Sequence, residues 1–158
     1  MSLPANYTTG QSFTAAEEDA VETAVNADTN ELSGASSGVI LLNPTITGYT
    51  ETIQSVGTVT TTKTLPAVSN GTVLTATLTA STACVFTMPA VVAGKSTSFV
   101  LLLKQAATTG GGTATFTGVK WPSSGTPVQT STAATMDSYT FISDGTEWYG
   151  SYNQGYTP

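Results

Sequence analysis

From residue 39 onward the chain alternates apolar and polar residues with a period of two over short stretches, as half-buried β-strands do. The clearest stretch is Thr72–Thr79, with Leu74, Ala76 and Leu78 on one face and Thr75, Thr77 and Thr79 on the other. The same pattern predicts strands at Val39–Leu42, Thr45–Ile53, Val56–Leu65, Cys84–Met88, Thr97–Gln105, Thr113–Val119, Ser138–Ser143 and Glu147–Tyr152. Phe99–Leu103 is apolar throughout. It predicts a central strand covered on both faces and ending at a polar rim, Lys104-Gln105. Asn70-Gly71, Gly110–Gly112, Ser123–Gly125 and Asp144-Gly145 punctuate the strands, and the last predicts a hairpin turn. Eight or nine short strands at this spacing predict a mainly β fold, an antiparallel β-sandwich or jelly-roll-like domain over residues 39–158.

The pattern before residue 39 is different. Phe13, Ala20, Val21, Ala24, Val25 and Leu32 form a narrow apolar stripe at helical spacing. Thr14 and Glu17 fit a capping box, and Glu17, Glu18 and Asp19 favour the positive end of a helix dipole. Gly34 suits the position just past the helix end. Ser33–Gly38 reads as a flexible linker. Residues 1–38 are therefore expected to be an arm, an acidic helix and a linker. So narrow a stripe is marginal alone and needs a surface to dock on. Phe13, Val21, Val25 and Leu32 are its expected anchor residues.

Charge sharpens this division. Of 158 residues only 9% are charged, against roughly 25% in an ordinary soluble domain. Six of the ten acids lie between residues 17 and 31, whereas the β region carries four acids and four lysines. The β region is thus close to neutral. The chain holds 33 Thr and 16 Ser, most of them in the β region, where they make a surface that is polar yet almost uncharged. Such a surface packs beside identical neighbours without like-charge repulsion, and it lacks the edge lysines that discourage strand pairing. A homo-oligomer is the expectation.

The same composition excludes much chemistry. With no His there is no Ser-His-Asp triad, and the commonest metal ligand is missing. With no Arg and a net charge of −6, nucleic acid is not an expected partner. The first ten residues have neither the basic nor the apolar region of a secretory signal, and no apolar run approaches the ~18 residues of a membrane span. We expect a soluble chain made in the cytoplasm and not inserted in a membrane.

Asp144 and Glu147 meet the carboxylate pairing of a glycosidase only loosely. Asp137, Asp144 and Glu147 lack the spacing of a hard-cation loop. Gly110–Gly112 has no following Lys-Ser/Thr, so it is not a phosphate loop. Cys84 lies in an alternating run and reads as a small buried hydrophobe. No catalytic residue, metal site or cofactor is expected. Tyr149, Tyr152 and Tyr156 remain as candidate surface-binding residues, with Tyr149 and Tyr152 expected to face outward from their strand.

Four pieces of sequence carry a resemblance. They are Leu78–Pro89 followed by Gly94, Phe99–Gln105, Thr115–Pro122 with Gly125 and Pro127, and Asp137–Gly150. Lys120-Trp121-Pro122 and Asp144-Gly-Thr-Glu-Trp-Tyr-Gly150 are the most specific parts. In this order and spacing, residues 70–152 resemble a β-rich structural module of tailed-bacteriophage virion proteins. The resemblance implies a non-enzymatic virion protein, often trimeric, made in the host cytoplasm. A capsid decoration protein bound to the major capsid protein is the first expectation. A minor tail or fibre-type adhesin, holding host surface glycan through the C-terminal aromatics, is the alternative.

Overall fold

The structure, a computed structural model, describes Gly48, residues 50–68 and residues 71–157. The expected helix, linker and anchor residues, and the strand expected at Val39–Leu42, lie outside the described residues. The unit containing the β region runs from Tyr49 to Pro158.

The described residues are mainly β. The strands are β1 (Gln54–Val59), β2 (Thr62–Thr64), β3 (Val73–Leu78), β4 (Ala83–Thr87), β5 (Thr97–Lys104), β6 (Thr113–Thr117), β7 (Val119–Lys120), β8 (Met136–Ser143) and β9 (Trp148–Tyr156). They form a six-stranded sheet in the order β1-β3-β5-β8-β9-β7 and a three-stranded sheet in the order β2-β4-β6. The stretch expected as one strand, Val56–Leu65, turns a corner after Val59 and feeds both sheets.

The pairing corrects the antiparallel sandwich. β1-β3-β5 pair in parallel, and so do β2-β4-β6. The chain therefore winds as a β-solenoid, each coil giving one strand to each sheet. Parallel strands need a crossover connection, and here the crossover is itself a strand of the opposite sheet. Only β8 runs against the others, antiparallel to β5 on one side and, around the expected Asp144-Gly145 turn, to β9 on the other, while β9 pairs in parallel with β7. That hairpin extends the larger sheet beyond the last coil.

The inward faces of both sheets make one core. Leu74, Leu101 and Tyr139 are adjacent in register and fully buried, as are Phe99 and Phe141. From the smaller sheet come Cys84, Phe86 and Phe116. Phe86 stacks on Phe116 with ring centroids 5.4 Å apart, and Phe116 reaches Tyr139 at 4.9 Å and Phe141 at 5.3 Å. The Cys84 thiol is buried as expected, and its Sγ donates to the Val59 carbonyl at 3.0 Å. Trp148 Nε1 donates to the Pro89 carbonyl at 2.9 Å and ties β9 to the loop after β4.

Two further expectations change. β5 is central in its sheet but is not covered on both faces. Phe99, Leu101 and Leu103 are buried, whereas Val100 and Leu102 are half-exposed on the outward face. Gln105 is not at a polar rim but buried. Its amide donates to the carbonyls of Gly112 and Thr130 (both 2.8 Å) and accepts from the Gly112 N–H at 3.0 Å.

Gln129 makes the same arrangement one step along β6. Its Oε1 accepts from the Ala114 N–H at 2.8 Å and its Nε2 donates to the Ala114 carbonyl at 3.0 Å. The two side-chain amides thus stand in for a neighbouring strand along the outer edge of β6, satisfying polar groups that an exposed edge leaves open.

Candidate functional site

The outward face of the six-stranded sheet is the wider of the two sheet faces. Four strands align across it. Val73 pairs Val100, Val100 pairs Thr140, and Thr140 pairs Ser151. The next row is Thr75, Leu102 and Ser138. On the other side lie Ile142 and Tyr149, opposite each other in register and 51% and 41% exposed. Apart from Tyr149, these rows are made of Val, Leu, Ile, Thr and Ser, and they carry no charge.

The charges gather at its ends. At one end the Asp144–Glu147 turn carries the one ion pair among the described residues, Lys120 Nζ to Glu147 Oε1 at 3.3 Å. Asp144 Oδ1 accepts from the Thr146 hydroxyl (2.6 Å) and from the Thr146 and Glu147 N–H groups (2.8 and 2.9 Å). Its Oδ2 accepts from the Tyr149 hydroxyl at 3.0 Å. These bonds, the Thr146 hydroxyl foremost, hold the Asp144 carboxyl well below the usual carboxylate range, and the neighbouring Asp144 pushes the Tyr149 phenol up. Asp144 and Glu147 are therefore engaged with different partners, within a turn that their bonds stabilise.

Asp137 lies near the opposite end of β8 from that turn, so the structure does not bring it together with Asp144 and Glu147. It is 3% exposed. Its oxygens accept from the Thr130 N–H (2.8 Å), the Thr130 hydroxyl (2.7 Å) and the Gly155 N–H (3.0 Å). Among the described residues no group of three His, Cys, Asp or Glu is placed to hold a metal ion.

The three candidate tyrosines separate. Tyr149 faces outward, as expected. Tyr152 does not. It lies on the same side of β9 as Trp148, half-buried against Trp121 at 6.1 Å and Tyr139 at 6.3 Å. Residues three apart in a regular strand point to opposite faces, so Tyr149 and Tyr152 cannot both face out.

Tyr156 should by the same count share the inward side with Trp148. A bulge reverses it. Ser138 pairs Asn153 but Met136 pairs Tyr156, so β9 carries one extra residue where Gly155 sits at φ 79°. The Gly155 N–H is the one bound by Asp137. Bulges re-aim side chains in this way. Tyr156 emerges on the outward face beside Met136, in a row with Lys104 and Thr77. This row forms part of the lining of a groove of about 400 Å³, whose wall also includes Thr157 and Ala134.

Sequence reasoning found Tyr156 but not the groove. The bulge rests on a positive-φ glycine next to Tyr156 and on a buried carboxylate far from it in the chain, Asp137, and the pattern of apolar positions reveals neither. The Gln-Gly-Tyr sequence at 154–156 was the available signal. Comparison of the chain with protein-family models, with curated proteins and with solved structures gives no match.

Proposed function

We propose that this chain is a non-enzymatic structural protein of a bacteriophage virion, a capsid decoration protein that acts as an oligomer on the major capsid shell. One observation carries the reading: a broad, nearly uncharged outward face built on a rigid solenoid. A rigid β face of methyl and hydroxyl groups buries area with little loss of side-chain entropy. It also brings no like charges together despite the net charge of −6. The buried polar side chains Asp137, Gln105 and Gln129 are occupied in holding loops and edges, which suits a scaffold.

The resemblance in residues 70–152 supports the virion assignment, and it implies a trimer. Its most specific residues have structural work to do. Trp121 and Trp148 pack in the aromatic core, and Asp144 organises the β8–β9 turn. On this reading the acidic segment within residues 1–38 provides the anchor.

The test is copy number. Gel densitometry of purified virions should give hundreds of copies per particle, and protein lacking residues 1–33 should no longer bind capsids stoichiometrically. A handful of copies per particle would place the protein on the tail instead. The groove beside Tyr156 is the observation that favours that second reading, a tail or fibre-type adhesin.

A further inference from the structure

We propose that the groove between Lys104 and Tyr156 is a binding site for an acidic sugar, a hexose-sized ring bearing one carboxylate. The inference does not depend on whether the protein sits on the shell or the tail.

The groove's volume, about 400 Å³, falls in the lower part of the range of small-ligand sites, roughly 300–1,000 Å³. Its lining is chemically two-sided. Tyr156, 47% exposed, and Met136 offer an apolar wall on which the C–H face of a sugar ring can lie. Lys104 stands in the same register row, exposed, and no carboxylate among the described residues pairs with it. Thr77 and Thr157 add hydroxyls suited to ring hydroxyls. The lining contains no acid. A carboxylate ligand therefore meets its one complementary charge here, in a protein whose net charge is otherwise negative. One lysine without clustered N–H donors matches a singly charged carboxylate better than a doubly charged phosphate.

The site is held in shape by buried structure. Asp137 binds the Gly155 N–H, the bulge at Gly155 turns Tyr156 outward, and Thr130 locks Asp137 from the other side. Asp137 is thus a positioning residue for Tyr156. The lining also includes Ala134, which sits at φ 62°, in the region that residues other than glycine rarely adopt. Such conformations concentrate at ligand sites.

The experiment uses the full chain with three probes at millimolar concentration: sodium glucuronate, N-acetylneuraminic acid and neutral methyl glucoside. Saturation-transfer NMR reads the contact, and titration reads the affinity. Both acidic sugars should receive saturation, and methyl glucoside should bind more weakly. Lys104→Gln should weaken the acidic sugars by about tenfold or more, the weight of one charge-assisted hydrogen bond, and leave methyl glucoside unchanged. Tyr156→Ala should abolish transfer to all three, whereas Tyr149→Ala, on the same face but at the far end, should change nothing. Circular dichroism confirms that each variant is folded. No saturation of the acidic sugars, saturation untouched by both groove variants, or inorganic phosphate displacing the sugars at equal concentration would overturn the assignment. None of these results depends on virion copy number, so this proposal and the decoration reading fail separately.

Discussion

The bare Cα of Gly150 lies under the indole of Trp121: a β-carbon added there would stand 2.5 and 2.7 Å from two ring carbons. Trp121 in turn meets Phe116, Phe141 and Tyr152 edge-on at 5.8–6.1 Å. Gly150 is therefore the gap in β9 that admits the ring into the core. Gly150→Ala should overpack this site and cost about 1–3 kcal/mol. Thermal unfolding should show a lowered Tm, with Trp fluorescence shifted to the red as the indole is displaced. An unchanged Tm would mean that the ring has room to move aside.

How far the sequence discloses this fold can be judged from particular residues. Leu74, Ala76 and Leu78 are buried and their Thr neighbours half-exposed, as alternation predicts. Strand direction is not legible, because a period of two is the same in parallel and antiparallel sheets. The coils are also unequal. Gln54 pairs Leu74 and Leu74 pairs Leu101, while Thr62 pairs Val85 and Val85 pairs Thr115. No fixed repeat marks the solenoid in the sequence. The structural roles of Gln105, Gln129 and Asp137 depend on loops that return from distant positions, so neighbouring residues do not announce them.

Gln129 provides a second test. Its amide pairs with both backbone groups of Ala114 and donates to the Tyr139 hydroxyl at 3.3 Å. Gln129→Leu would leave those groups without partners. Each buried polar group left unpaired costs about 1–3 kcal/mol, so a loss of about 3 kcal/mol is expected in chemical denaturation. Reopening the β6 edge should also raise aggregation on heating, measurable by light scattering. Stability within 0.5 kcal/mol of the parent, about the scatter of neutral surface changes, would show that water replaces the amide.

Asp144 and Tyr139 act on the pH response in opposite directions, Asp144 alongside Glu51, whose carboxyl is lowered by its bonds from Thr72, and Tyr139 alongside the raised phenol of Tyr149. Asp144 has its carboxyl lowered in the folded state. The stability it contributes is present above the ordinary carboxylate range and is lost as the pH falls below about 4. The Tyr139 phenol is raised, chiefly by burial, so its contribution is present below the ordinary phenol value and is lost as the pH rises beyond about 10. Tm measured from pH 2 to 11 should fall at both ends. Asp144→Asn should flatten the acid limb and Tyr139→Phe the alkaline limb. An acid limb identical in Asp144→Asn would show that other carboxylates govern it.

The outward face makes the most direct prediction about assembly. Leu102 sits near its middle, half-buried between Thr75 and Ser138, and its side chain takes no part in the core. A charge there has water available in the isolated protein, so Leu102→Glu should change the stability of the monomer by no more than about 0.5 kcal/mol. In an oligomer packed through this face the same carboxylate would be driven into an apolar contact without a partner, at a cost of several kcal/mol. Sedimentation velocity should therefore show the parent as an oligomer and Leu102→Glu as a monomer with unaltered circular dichroism. Thr58→Glu, on β1 at the margin of the same sheet, should leave the oligomer intact because a rim charge stays hydrated. If Leu102→Glu remains fully assembled, the subunits meet through some other surface and the uncharged face is not the interface.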